Sequence, residues 1–471
     1  MKLDQYGNEI SWIPKLKTRD DMPLYQALVQ AIQDDINQGI LMRGYKMPPQ
    51  RVLANQLGLN HGTVTRAYKI CEEKGLVKGI VGKGTFIAAS PGLPISLLTD
   101  HKDTDLISLG MAIPLYECNP LIETFVKQVR DSMDSGLTMT YCPPEGHIKH
   151  RYVAANWLIQ YKIIVKAENI LITSGTQNAL AIILMTLFEK GDRIVVDEYT
   201  YTGLISLASY MSVILVPVLG DEQGMDIEEL KSACKREQPK GIYIMADYHN
   251  PTTVTLSYER RKALAKVIAD NNLLLMEDAT FSFSLETKIK PVSAYIPEQS
   301  LFIMGTSKAI SPAFRISYIA APSSLVEKLS HGLNNIIWMA SPYTSEIVSL
   351  LQSTGAYERI EEEKIRLLKD RNQRFDEMMT GYDVLSAPTS CYRFLQLPGS
   401  YDDVELEYLA LEKGVQILSA NRFYVGSKPE KPTLRLAVSA PNTLEELETG
   451  LTIIKELLDN YPRRKSRCPV L

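Results

Sequence analysis

Cysteine is scarce and scattered. Six occur, at 71, 118, 142, 234, 391 and 468, with no CxxC spacing and no grouping with the six histidines. That pattern excludes a disulfide-stapled scaffold and the usual zinc knuckles, and no metal is expected; reduced thiols in a cytoplasmic protein fit it best. Long apolar runs are also missing. The longest, such as 179–188, are too short or too interrupted to cross a bilayer, and the polar stretch 1–20 has no secretory core. No membrane partner is expected. Neither sign of charge dominates: 51 Lys and Arg stand against 55 Asp and Glu. The overall balance therefore does not point to nucleic acid, and the small basic tail at 463–467 reads as solvated. Low-complexity tracts and internal repeats are absent as well.

What remains is an ordinary globular composition, 45% hydrophobic and 23% charged, spread over 471 residues, enough for two or three domains. Charge is not evenly divided. Residues 1–90 hold 12 Lys and Arg against eight Asp and Glu, so a mildly basic front precedes an acidic body.

The front reads as a small α-rich unit. Leu24, Leu28, Ile32 and Ile36 recur every four residues, the stripe of an amphipathic helix that Gly39 ends. Gly44 opens a turn into Met47-Pro48-Pro49. A short helix follows to Leu57, with Pro49 suited to its first turn, and Gly58-Leu59-Asn60 makes a tight turn. Asn60 then caps a second helix running to about Lys74. Two short helices about a glycine-containing turn match a helix-turn-helix. Residues 76–87 read as two strands around a Gly-rich tip, a wing. The second helix would enter a major groove of double-stranded DNA, offering His61, Thr63, Thr65 and Arg66 to bases or phosphates. Arg51 would approach from the preceding helix, and Lys83 and Gly84 from the wing tip. The domains predicted are a DNA-binding unit over 1–88, a linker over 89–106 and an effector unit over 107–471.

From Ile107 short apolar runs near 170–173, 193–196, 213–216, 242–245, 273–276 and 301–304 alternate with helix-like segments. This is the pattern of an α/β unit with a mostly parallel, buried sheet. From about 355 charged helices mix with short strands, predicting a smaller α+β subdomain.

Several chemically useful residues follow those runs. Ser307-Lys308 comes just after 301–304, and Arg315 lies seven residues on. An amine beside a hydroxyl and a guanidinium suits a phosphorylated aldehyde: the amine forms a Schiff base, and Ser307 and Arg315 hold the phosphate. Asp278 ends the run at 273–276, where a carboxylate points into the usual ligand crevice and would pair with a protonated ring nitrogen. Gly175, Thr176 and Gln177 stand between a strand and a helix, whose free N–H groups suit a phosphate. Asn250 and Tyr201 follow two further strands, placed to donate to a phenolate oxygen and to stack on a ring.

In this order, residues 107–460 resemble fold-type I aminotransferases that use pyridoxal 5′-phosphate. The resemblance implies that Lys308 is the Schiff-base lysine, Asp278 the pyridine-nitrogen partner, and Asn250 the contact to the ring oxygen. Gly175, Thr176, Ser307 and Arg315 belong to its phosphate cup, and Tyr201 stacks on the ring. Tyr141 matches a tyrosine that reaches the phosphate across a homodimer interface. Arg435 matches the arginine that grips an α-carboxylate, with Gly110 lining that pocket. Residues 47–86 are similar to readers of the GntR family. Together the halves resemble the MocR (GabR-like) branch, a winged helix-turn-helix fused to an aminotransferase-like domain.

Four departures stand out. Thr280 occupies the place where many relatives have a tyrosine, Gly305 replaces a serine, Thr253 replaces a glycine, and His61 stands where relatives often carry arginine. The resemblance thus implies a promoter-binding regulator that senses an amino-acid-like effector, or the cofactor itself, through Lys308, with transaminase turnover weak or absent. The alternative is an active aminotransferase with an accessory DNA-binding domain.

Overall fold

The computed structural model describes residues 12–16, 23–37, 41, 45–73, 76–80, 84–87, 106–385, 387–426 and 431–461. Gly39, Gly44, Lys83 and all of the expected linker except Leu106 lie outside the described residues. The chain divides into two compact units, Met1–Asp103 and Thr104–Leu471.

In the first unit α1 (Leu24–Asn37) buries Leu28, Ile32 and Ile36, while Leu24 at its start stays 44% exposed. The next helix, α2 (Gln50–Leu57), starts after Pro49 and ends at Gly58, whose φ of +64° turns the chain back. A side chain there would meet nothing, so it is the left-handed backbone that calls for glycine. In α3 (His61–Glu73) the Asn60 side chain accepts the Gly62 N–H at 2.8 Å, satisfying one orphan donor of the first turn. Val64, Ala67, Tyr68 and Cys71 face inward, and His61, Thr65 and Lys69 face out one turn apart. β1 (Val77–Ile80) and β2 (Gly84–Ile87) form an antiparallel hairpin. Residues 45–47 line its edge: the Met47 N–H reaches the Thr85 carbonyl and the Ile87 N–H reaches Tyr45. Tyr68 donates to the Pro48 carbonyl at 2.8 Å, tying α3 to the turn before α2.

The second unit is built on seven strands: β3 (Ile170–Thr173), β4 (Arg193–Asp197), β5 (Ile214–Val218), β6 (Gly241–Ile244), β7 (Leu274–Asp278), β8 (Ser300–Gly305) and β9 (Ser317–Ala320). Their spatial order is β3-β9-β8-β7-β6-β4-β5. The pairs β8/β7, β7/β6, β6/β4 and β4/β5 are parallel, and β9 is antiparallel to both β8 and β3. Helices on the faces bury the strands, so most read as continuous apolar runs. The antiparallel β9 was not among the expected strands; its four residues, all buried, follow Arg315 with no turn signal.

A second sheet of β10 (Asp383–Val384), β11 (Arg393–Gln396), β12 (Leu418–Ser419) and β13 (Thr433–Leu436), ordered β10-β11-β13-β12, is antiparallel throughout. With the helices Ala356–Met378, Asp403–Glu412 and Leu444–Asp459 it forms the C-terminal subdomain. Ile107–Ser108 pairs with Val415–Gln416, so the start of this unit also joins that subdomain.

Candidate functional site

Parallel strands deliver their following residues to one edge of the sheet, and an antiparallel neighbour brings its preceding residues to the same edge. Gly175 and Thr176 follow β3, Tyr201 follows β4, Asn250 follows β6, Asp278 ends β7, Ser307 and Lys308 follow β8, and Arg315 precedes β9. Gly305 and Thr173 both lie opposite Ser317, which brings the phosphate-cup candidates together.

Arg315 donates to the Ser307 hydroxyl at 3.2 Å and to the Ser174 carbonyl at 3.3 Å. Gly175 has φ +89°, and a side chain there would run into the Arg315 guanidinium. Glycine is therefore required twice, by the backbone and by the cation lying over it. The helix Thr176–Leu187 begins directly after; the Asn178 and Ala179 N–H groups reach the Gly175 carbonyl, which leaves those of Thr176 and Gln177 without an acceptor in the helix. A cation, a hydroxyl and a helix N-terminus in contact make an anion cradle. The Gln177 side chain turns away from it and donates to the Gly203 carbonyl at 3.0 Å.

Asp278 is 3% exposed and accepts three hydrogen bonds: from the Thr280 N–H at 3.0 Å, the Thr280 hydroxyl at 2.6 Å and the Tyr243 hydroxyl at 3.0 Å. Burial pushes its carboxyl above the ordinary range, against those bonds, which hold it down. The Thr280 hydroxyl also meets that of Thr176 at 3.1 Å. This explains Gly305: a side chain there would lie 2.5 Å from the Thr176 hydroxyl. The two departures are therefore one packing arrangement.

The Lys308 amine donates to the Ala112 carbonyl. Burial, with Arg435 and Arg315 nearby, pulls it down to about 8, so about a tenth is an uncharged nucleophile at pH 7, far more than for an ordinary lysine. Tyr201 is pushed up to about 12 by burial and by the Asp278 charge; Arg315 and Arg435 also face it. Its ring folds over Gly203, where a side chain would collide with a ring carbon.

Arg435, in β13, is 4% exposed. It donates to the Gly110 carbonyl and to Asn250 Oδ1 at 3.0 Å, and its Nε has no partner among the described residues. Phe423 and Tyr392 flank the guanidinium at 4.7 and 5.4 Å. Tyr141 is 76% exposed and touches the Trp338 ring at 5.6 Å.

These residues fit pyridoxal phosphate. The cradle at Gly175 and Arg315 suits its phosphate, the buried Asp278 a protonated ring nitrogen, and the weakened Lys308 amine an aldehyde. The partnerless Arg435 Nε suits a carboxylate on an incoming amine. Sequence reasoning missed Tyr243 and Ala112, since nothing in a lone strand tyrosine or a carbonyl marks it for a site.

In the first unit Arg51, His61 and Thr65 are exposed and Thr63 partly so. The Thr65 hydroxyl donates to Gln50 at 2.9 Å, and the Arg66 guanidinium lies 4.0 Å over the Tyr25 ring. Arg66 is therefore held by α1 as well as offered to solvent. Gly84 has φ +114°, and Lys83 lies outside the described residues. Lys69, exposed one turn beyond Thr65, was not anticipated; it continues the outer face of α3.

Comparison with known proteins places these observations. Residues 104–454 match the family model for aminotransferase class I and II, and residues 24–87 that for bacterial regulatory proteins of the gntR family. The chain is 35% identical to an uncharacterized HTH-type transcriptional regulator, YdeF, of Bacillus subtilis (strain 168), over 98% of this chain and all of that one. It is 25% identical to aromatic-amino-acid aminotransferase 1 of Thermococcus litoralis over 72% of this chain and 85% of that one. The α-aminoadipate aminotransferase LysN of Thermus thermophilus, solved with N-(5′-phosphopyridoxyl)-L-leucine, superimposes with a TM-score of 0.70 at 20% identity. That match covers 78% of this chain and 94% of LysN.

Proposed function

The chain belongs to the aminotransferase class I and II family and carries a gntR-family domain ahead of it, and on that premise we propose that it is a DNA-binding transcription regulator whose second unit senses an amino-containing metabolite. The observation that carries this reading is the convergence of Lys308, Asp278 and Arg315 at one sheet edge with Arg435, which reaches Asn250 there from β13, in a chain whose first unit also exposes His61, Thr65 and Lys69 of α3.

The family depends on pyridoxal phosphate, which when bound supplies a carbonyl for an amine and an electron-withdrawing ring. Arg315, Ser307 and the N–H groups after Gly175 would hold its phosphate. Asp278 would pair with its ring nitrogen, oriented by Tyr243 and Thr280. Lys308 would offer its amine to that carbonyl, and an effector's amine would compete for the same place. Arg435 exchanges its bonds to Gly110 and Asn250 for the effector's carboxylate. That exchange frees the Asn250 side chain and loosens a link between the segment at Gly110 and β13. Effector binding thereby changes the C-terminal subdomain's contacts, and differential contact of this kind is what shifts a two-state equilibrium.

The partner of the first unit is double-stranded operator DNA. His61, Thr63 and Thr65 read from α3, and Arg51 and Lys69 supply phosphate contacts. The second unit works as a homodimer. Its support is the exposed apolar group of Met139, Tyr141 and Trp338, 74, 76 and 61% exposed. Among the described residues no helix is long and apolar enough to cross a membrane.

Borohydride reduction of the protein loaded with pyridoxal phosphate tests the site. The modified peptide should contain Lys308, and Lys308→Ala should retain no covalent cofactor. The free-amine fraction rises about tenfold per pH unit below the amine's value of about 8 and levels above it. The initial rate of incorporation should follow that curve. Modification at another lysine sinks the assignment.

A further inference from the structure

Lys308 sits in a single helical turn, Thr306–Ala309, too short to satisfy its own last carbonyls. Those carbonyls have a partner from outside. The Lys364 ammonium donates to the carbonyl of Lys308 at 2.9 Å and to that of Ile310 at 2.6 Å. Lys364 is 1% exposed and, among the described residues, forms no ion pair with a carboxylate. A buried cation at the C-terminal end of a helix is favourably placed, and charge-assisted bonds to carbonyls are strong.

The helix that carries Lys364, Ala356–Met378, has further grips on the same face. Arg371, two turns on, donates to the carbonyls of Val438 and Pro441 at 2.8 and 3.0 Å, just beyond Arg435 and β13. Asn372 donates to the Ser390 carbonyl at 2.8 Å. One rigid helix therefore joins the backbone of the amine-bearing turn to the segment after the carboxylate-gripping strand.

We propose that Lys364 is a positioning residue for Lys308: its ammonium fixes the turn that carries the amine to the C-terminal subdomain, so that a change at Arg435 is passed to Lys308 through the helix Ala356–Met378. The second half of that statement rests on the regulatory reading above; the first does not. The charged and titratable groups facing the pair are Cys391, Arg435 and Arg315 around Lys308, and Cys118, Cys391 and Lys308 around Lys364. Burial pushes both thiols up to about 11, so neither neutralises Lys364 near neutral pH. Burial pulls Lys364 itself down to about 8, so it is mostly an ammonium at pH 7 and loses its charge over the same range as Lys308; below that range its positive charge acts on Lys308 as well as its hydrogen bonds.

The test uses the full-length chain without added cofactor. Lys308 is labelled with cyanate across pH, and its modification is followed by peptide mapping in the wild type, Lys364→Met and Lys364→Arg. Removing the charge should move the Lys308 inflection upward, by less than about one pH unit because Lys364 is itself partly neutral there. Lys364→Arg, which keeps the charge and the donors, should restore the wild-type inflection. An inflection unchanged in Lys364→Met, with only a lowered melting temperature, overturns the proposal. Should Lys364→Met fail to fold by circular dichroism, Lys364→Gln is read by the same criterion. Borohydride trapping in the wild type reports separately on cofactor binding. A shifted inflection without trapping supports the positioning role and removes the sensor reading alone.

Discussion

Thr253 occupies a backbone conformation that its own side chain opposes. Its φ is +65°, in the left-handed region that β-branched residues avoid, and its buried hydroxyl has no partner among the described residues. The loop is held there by the bonds from Thr253 N–H to the His249 carbonyl and from His249 N–H to Val254. Thr253→Gly relieves the strain and removes an unsatisfied group, together about 2–4 kcal/mol. It loses about 1 kcal/mol to chain entropy and a similar amount of methyl packing. The variant should be more stable by about 1 kcal/mol in urea unfolding of the large unit, and a net loss of stability would contradict this account of the loop. At this scale the candidate residues that the structure brings to one edge were legible where they end a strand, as Asp278 does, or lie a few residues beyond one, as Lys308 and Asn250 do. It was illegible where a group serves another from a distance in sequence. Tyr243 lies 35 residues from the carboxylate it orients, and Lys364 lies 56 from the turn it clamps. Gly305 was visible as a departure, but its reason, the Thr176 hydroxyl, emerges only in three dimensions.

Among the elements, α3 shows how periodicity alone can assign faces. Spacings of three and four separate the buried Val64, Ala67, Tyr68 and Cys71 from the exposed His61, Thr65 and Lys69. With 13 residues the helix is about 20 Å long, enough to lie along a major groove. Lys69, on the outward face, should contact phosphate. Lys69→Ala should therefore weaken binding about equally on operator and unrelated DNA, and the dependence on salt should flatten by about one counterion. Gel shifts across a salt series measure both quantities; an unchanged slope removes Lys69 from the interface. Arg66→Ala should instead loosen the packing of α3 on α1, because its guanidinium rests on Tyr25. The strands of the large sheet were legible as buried apolar runs flanked by helices. The antiparallel β9 was not, since a four-residue strand following a site loop carries no periodic signal. Nor was the pairing of Ile107–Ser108 with Val415–Gln416, which closes over three hundred residues of chain.

The whole molecule joins a gntR-family front to an aminotransferase-family body. Exposed aromatic side chains at Tyr141 and Trp338 are costly on a monomer's surface. A two-fold homodimer of the large unit would cover them and would present two recognition helices to paired half-sites. Sedimentation at micromolar concentration should give a dimer, and Tyr141→Ala together with Trp338→Ala should weaken it; a monomeric double variant identical to a monomeric wild type would contradict the reading. The central claim is that occupancy at Lys308 controls DNA. It is tested most directly by operator affinity of the loaded protein, measured with and without each member of an amino-acid panel, in the wild type and in Lys308→Ala. The account predicts that at least one amino acid changes wild-type affinity by about fivefold or more, a typical coupling, and leaves Lys308→Ala unmoved. Operator affinity indifferent to every amino acid, alongside keto-acid formation at roughly tens per second, the pace of an ordinary enzyme, would contradict it.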